Sequence, residues 1–284
     1  MNDRRIWWFF IVPCMLVALA VVMSLAAVFQ YSFREFIPGS LETGGFTFDN
    51  FYNIGRPVYF LVILDTLLIS LLTAVFCLLL SYPVAYALVR TQSEWVRTLL
   101  VILSITPLFT GEIVRTYAWM LVLGSDGFIN STLMGLGIVS KPVQFMYTKF
   151  GVIVALVHFS MPVMIIMLAT AVSHVNRDFE KAAANLGAAP LTVFWRVTVP
   201  LTMAGIVAST VVIFAWTMSA FATPQLIGGG KVLMISNLVY LQGLSSFNFP
   251  IAAVLSAVAF VVAVGSLALV QPFVTRLERR VAEQ

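Results

Sequence analysis

Six long stretches that offer water almost nothing to bind limit what this chain can become. Residues 6–29, 66–89, 150–172, 197–222 and 251–272 contain no Asp, Glu, Lys or Arg, and 98–123 contains only Glu112 and Arg115. At about 1.5 Å of rise per residue, a helix of 24 residues such as 6–29 reaches about 36 Å. The hydrocarbon core of a bilayer is about 30 Å thick, so each run is long enough to cross it with some tilt. None of the runs alternates apolar and polar residues as a membrane β-strand does. Lipid cannot satisfy free backbone N–H and C=O groups, so the runs must be helices. The sequence therefore predicts an all-α integral membrane protein with six transmembrane helices. Composition agrees: 61% of the 284 residues are hydrophobic and 10% charged. A soluble domain carries roughly 45–50% apolar and about 25% charged residues. An ordinary soluble enzyme, a disordered chain and a disulfide scaffold are excluded.

Charge sets the expected direction of the spans. With both termini on the cytoplasmic side, the inner segments hold Arg4, Arg5, Arg90, Arg97, Arg177, Lys181, Arg196, Arg276, Arg279 and Arg280. The outer loops hold only Arg34, Arg56, Lys141, Lys149 and Lys231. This is the positive-inside bias, and it accounts for the formal net charge of +4 without invoking nucleic acid. The first run follows Arg4 and Arg5, but its apolar stretch far exceeds that of a secretory signal and is read as a retained helix. Cys14 and Cys77 both fall within apolar runs, with no disulfide or metal spacing.

The outer loops carry turn signals. Pro38-Gly39-Ser40 and Gly44-Gly45 read as turns in 31–59. In 124–149, Asn130 reads as the cap of a short interfacial helix stopped by Gly135–Gly137. Pro83, Pro107 and Pro162 are expected kinks. Gly205, Ala208 and Ser209 would let helices approach closely on the fifth span.

The inner segment 173–199 is far longer than a connection between antiparallel helices requires. Asn176 is a good N-cap, with Asp178 and Glu180 complementing the dipole of the first turn. Phe179, Ala182, Ala183 and Leu186 share one apolar face. Gly187 ends that helix, and Pro190 suits the first turn of a second, in which Leu191, Phe194, Trp195 and Thr198 share a face. The plainer reading is a hairpin lying on the inner leaflet. The sharper one is a pair of helices seated in a groove on a cytoplasmic partner.

The run Asp178-Phe179-Glu180-Lys181-Ala182-Ala183-Ala184-Asn185-Leu186-Gly187-Ala188 resembles the EAA motif of ABC importer permeases. That motif reads Glu-Ala-Ala, three residues, Gly, nine residues, Ile-x-Leu-Pro. Ala182, Ala183 and Gly187 match it, and Val197-Thr198-Val199-Pro200 is conservative for its tail. Lys181 stands at the motif's Glu, with Glu180 adjacent. Ser81-Tyr82-Pro83-Val84-Ala85-Tyr86, Arg115-Thr116-Tyr117-Ala118-Trp119, Phe221 through Gly230 and Phe247-Asn248-Phe249-Pro250 resemble the spermidine/putrescine permease branch.

The resemblance implies the type I ABC importer permease fold in a bacterial inner membrane. Residues 1–61 would form the first helix and outer loop. Residues 62–272 would form the permease core, with its coupling loop at 173–199, and 273–284 a cytoplasmic tail. It also implies a transport subunit translocating a small polar solute, such as putrescine or spermidine, by alternating access. The partners would be an ATPase dimer, a second homologous permease, a periplasmic solute-binding protein and membrane lipid, with no nucleic acid. ATP and Mg would belong to the ATPase; no cofactor, metal or catalytic residue is expected in this chain. In agreement, Gly228-Gly229-Gly230-Lys231 lacks the spacing of a phosphate loop. Phe179, Glu180, Lys181, Ala182, Ala183, Leu186, Gly187 and Pro190 would couple to the ATPase.

Candidate pathway residues cluster on the third span. Glu112 lies 14 positions beyond Thr98, about 21 Å along a continuous helix, where a charge usually faces a cavity. Glu112 and Arg115 read either as an ion pair three residues apart or as lining for a cationic solute. Asp65 reads as a cap of the second span or as a cation attractor. Tyr117, Trp119 and Trp216 read as interface anchors or as π-faces for an ammonium group. His158 reads as a hydrogen bonder between helices. A stand-alone secondary transporter or channel is the alternative, and it would need an ionisable relay that the spans scarcely provide.

Overall fold

The computed structural model describes residues 3–40 and 42–282, with backbone alone for 3–9, 267, 270, 271 and 273–282. The side chains of Arg4, Arg5, Arg276, Arg279 and Arg280, which carry half of the inner positive charge, lie outside the described residues. In chain order the elements are α1 (Asp3–Tyr31), β1 (Arg34–Phe36), β2 (Thr43–Phe46), α2 (Asp49–Ile54), α3 (Pro57–Arg90), α4 (Glu94–Ile105), α5 (Glu112–Leu123) and α6 (Phe128–Gly135). They continue with α7 (Lys149–Ser173), α8 (Arg177–Asn185), α9 (Pro190–Val193), α10 (Val199–Leu201), α11 (Met203–Met218), α12 (Ala222–Gly228), α13 (Ile235–Tyr240) and α14 (Phe249–Ala282).

Among the described residues, four helical stretches are each long and apolar enough to cross a membrane unbroken: Phe10–Tyr31, Pro57–Arg90, Lys149–Ser173 and Phe249–Ser266. The other two expected spans are bent. Glu94–Phe109 and Glu112–Gly135 meet at 107°, and Pro190–Leu201 and Met203–Met218 at 70°. Six spans result when each bent pair is counted as one.

The third span is therefore not the continuous helix its apolar run suggests. A 3₁₀ turn over Thr106–Phe109 follows α4, and Thr110 and Gly111 are extended. Pro107 has no N–H to continue the ladder. At the break Arg115 Nη2 donates to Thr110 O (2.7 Å), while Thr106 Oγ1 adds a second bond to Ile102 O (2.5 Å), which already accepts the Thr106 N–H. Glu112 thus opens a new helix, where its charge complements the dipole, and its height cannot be counted from Thr98. Pro83 and Pro162 lie inside helices that run on past them. The fifth span breaks at Thr202, just after Pro200 and a π turn over Phe194–Thr198.

The chain divides into two compact units, Met1–Leu61 with Ile235–Val261, and Val62–Met234 with Val262–Gln284. In the first, β1 and β2 form an antiparallel hairpin, a small departure from the all-helical expectation. Gly44 and Gly45 lie in β2 and not in a turn, whereas Gly39 does turn the chain. Phe33 stacks on Phe46 (5.4 Å, 3°), and the buried Asn50 donates to Ser32 O and Arg34 O.

In the second unit, α3 and α7 form the centre. Ala74, Cys77, Tyr82 and Ala85 of α3 pack with Met164, Ile165, Leu168 and Val172 of α7 and Ile213 of α11. Gly205 of α11 lies against Ala171 so closely that any side chain at 205 would collide with its Cβ. The expected close approach on the fifth span is realised there. Asn130 is no helix cap: Gly127 takes that position. The fully buried Asn130 instead donates to Gly124 O and Val143 O and accepts from Val143 N–H (2.8 Å), stitching the loop 124–149 together.

Candidate docking loop and membrane pathway

The loop 173–199 folds largely as its residues dictate. Asn176 caps α8, its Oδ1 accepting from Asp178 N–H (2.9 Å). Gly187 ends the helix at φ +87°, a left-handed conformation that costs glycine little. Pro190 begins α9. An exposed stripe of α8 is apolar: Phe179 is 56% exposed and Leu186 89%, with Ala182 between them. Lys181 points outward with Asp178, and their contact (3.0 Å) holds the Asp178 carboxyl below the ordinary range, first through its hydrogen bond to Lys181 and then through the ammonium charge.

The second loop helix departs from expectation. Leu191 and Trp195 are exposed, while Thr198 is buried and Phe194 partly so. The four residues do not share a face, because the π turn adds a residue per turn and rotates Thr198 inward. Phe194 packs edge-on against Tyr82 and Tyr86 of α3 (5.4 and 5.2 Å).

Glu180 turns the other way from Phe179 and Leu186. Its carboxylate meets Arg90 Nε (3.0 Å), at the end of α3, and accepts from Thr198 Oγ1 (2.8 Å). Arg90 Nη2 also donates to Val175 O (3.2 Å) and Arg177 Nη2 to Val89 O (2.6 Å). The Arg90 and Glu180 side chains are only 11% and 13% exposed. Sequence reasoning noticed Arg90 only as a unit of inner charge. Its place as the last residue before the span leaves the bilayer was the available signal.

The pathway candidates are brought together only in part. Arg115 of α5 lies over the Phe159 ring (4.7 Å to the centroid), and its Nη1 donates to Phe159 O. Phe159 meets Trp216 edge-on (5.7 Å). Trp119 Nε1–H donates to His158 Nδ1 (3.1 Å), so His158 does join α5 to α7. Arg115, Trp119 and Trp216 thus form one cationic and aromatic cluster around α7. A cavity of about 200 Å³ lined by His158, Ser104 and Pro107 adjoins the break in the third span. Glu112 and Arg115 do not form an ion pair within 4 Å, because Arg115 is drawn to the broken backbone at Thr110. Tyr117 is half-exposed, next to the buried Thr116 in α5. Asp65 is no cap: α3 begins at Pro57, and Asp65 pairs with Lys149 of α7.

Bent spans, a loop helix with an exposed apolar stripe and a charged clasp behind it are the geometry against which the comparisons stand. Residues 78–283 match the family described as binding-protein-dependent transport system inner membrane component. The chain belongs to this family.

Among relatives of this inner membrane component, the spermidine/putrescine transport system permease protein PotB of Escherichia coli is 33% identical over 84% of this chain and 86% of its own length. PotB of Haemophilus influenzae is 33% identical over 74% of this chain and 73% of its own. The inner membrane ABC transporter permease protein YdcU of Escherichia coli is 28% identical over 87% of this chain and 80% of its own. In fold, the component is similar to a chain of a bacterial alginate ABC transporter solved with an alginate pentasaccharide-bound periplasmic protein. That match has a TM-score of 0.80 at 19% identity, covering 98% of this chain and 96% of that one. The MetNI methionine ABC transporter in an inward-facing conformation gives a TM-score of 0.60 at 15% identity, covering 78% and 98%. The fold is that of type I ABC importer permeases, and the chain is a transport component of a multi-pass inner-membrane family.

Proposed function

We propose that this chain is one membrane subunit of an ATP-driven importer of polyamines such as putrescine or spermidine, with both termini in the cytoplasm. Residues 62–272 form the permease core, 1–61 an added helix and outer loop, and 273–284 a tail. A dimer of ATPase subunits docks on 173–199, and a second permease completes the membrane pair. A periplasmic solute-binding protein delivers substrate. ATP and Mg are held by the ATPase, and this chain is not itself an enzyme.

The observation that carries the reading is the outward face of α8. Phe179, Ala182 and Leu186 stand clear of the protein on a helix that is capped at Asn176, ended at Gly187 and pinned from behind through Glu180. An amphipathic helix held rigidly in this way fits a groove. Small Ala182 and Ala183 let a partner approach the backbone. The polyamine assignment draws support from the PotB relatives, and within the chain from Glu112, whose carboxylate makes no ion pair within 4 Å among the described residues.

The test is reconstitution. The chain, purified with the proteins encoded beside it, should carry an ATPase and import labelled putrescine into proteoliposomes only when ATP and a loaded binding protein are present. Transport by the chain alone would establish the secondary-transporter alternative instead.

A further inference from the structure

We propose that Glu180, Arg90 and Thr198 form the joint that makes the docking helix and two membrane spans move as one body. The inference rests on the reading of α8 as the ATPase-docking helix and adds how a push on that helix is passed upward.

The contacts close a circuit. Glu180 of α8 holds Arg90 at the end of α3 and accepts from Thr198 at the root of the fifth span. The Thr198 carbonyl accepts from Thr202 Oγ1 (2.9 Å), and Thr202 Oγ1 lies 2.6 Å from Tyr82 Oη, back on α3. Arg90 further grips Val175 O in the turn that enters α8, and Arg177 grips Val89 O. Thr198 is fully buried, and Tyr82 and Thr202 nearly so. Displacing α8 alone would leave a buried carboxylate and guanidinium each without its counter-charge, which low-dielectric surroundings penalise heavily. Moving α8 together with α3 and the lower part of the fifth span breaks none of these contacts. The acid that does this is Glu180; Lys181, at the motif's Glu position, faces outward and pairs only with Asp178. Glu180 is thus a positioning residue, acting through the helix that carries the docking face.

The test uses the assembled complex in proteoliposomes. Glu180→Gln and Arg90→Gln should still co-purify with the ATPase, while solute imported per ATP hydrolysed falls about tenfold. The exchange Arg90→Glu with Glu180→Arg should recover part of that ratio, which a merely destabilised fold would not do. An unchanged import-to-hydrolysis ratio in Glu180→Gln overturns the joint. So does loss of the ATPase from that variant, because the carboxylate would then be a docking contact. Leu186→Glu, on the outward face, reports separately on the docking reading. If it retains both ATPase and import, the docking reading fails, and the proposal resting on it falls too.

Discussion

The hydroxyls of Tyr82 and Thr202 lie 2.6 Å apart although 120 residues separate them in the chain. Thr202 is the residue at which the fifth span bends, and Tyr82 belongs to a helix that runs on unbroken through Pro83. The bend is therefore fastened to a helix that continues past its own proline. One buried hydrogen bond of this kind contributes about 1 kcal/mol net. Tyr82→Phe should lower stability by that amount, and Thr202→Val by more, since Thr202 Oγ1 also donates to Thr198 O. Thermal unfolding in detergent measures both. Equal effects from the two variants would place the support of the bend elsewhere.

Gly205 and Ala171 set the separation of α11 and α7. Any Cβ at 205 collides with the Ala171 side chain, so the helices must part to accept one. Overpacking of a core typically costs about 1–3 kcal/mol. Gly205→Val should fall in that range, and Ala171→Gly in the same chain should recover a measurable share of the loss. A double variant no better than the single one would mean that the contact is not what limits packing.

Gly187 holds φ +87° with open space around it, so a substitution there meets no neighbour and only backbone strain. An L-residue in the left-handed region costs about 1–2 kcal/mol. Gly187→Val should fray the end of α8 and weaken ATPase association, whereas Gly187→Asn, a residue that tolerates this region, should retain most of it. Co-purification yields of the two variants decide the point, and equal yields would show that helix termination at 187 is not required for docking.

Glu112 is the acidic residue of the apolar run 98–123, partly buried at the start of α5 and, among the described residues, without an ion pair within 4 Å. Glu112→Gln should slow ATP-dependent putrescine uptake while complex yield stays constant. The loss should shrink as salt rises, because screening weakens attraction between a carboxylate and a cationic solute. Wild-type uptake in the variant would make Glu112 a helix-terminus residue with no part in the path.

The inner loop was largely legible in advance because its signals are local. A capping Asn176, acids in the first turn, apolar residues at helical spacing and Gly187 each act within a turn or two of themselves. The breaks in the third and fifth spans were not legible. Apolar content shows that a run belongs in lipid, and the same residues satisfy a straight helix and a bent one. Contacts from elsewhere in the fold accompany the breaks: Arg115 donates to Thr110 O, and Thr202 Oγ1 meets Tyr82 Oη. The cap readings of Asp65 and Asn130 fail for a related reason: Lys149, 84 residues away, and Val143, 13 residues away, arrive through the fold and claim them.

The sequence alone determined that this chain lives in a membrane as helices, and where its docking helix begins and ends. Transfer of apolar surface to lipid and local hydrogen bonding depend on composition and near neighbours. Only the tertiary structure decided which charges pair, where two of the spans bend, and that Glu180 faces inward onto Arg90. Those outcomes depend on groups up to 120 residues apart arriving within 3 Å of one another.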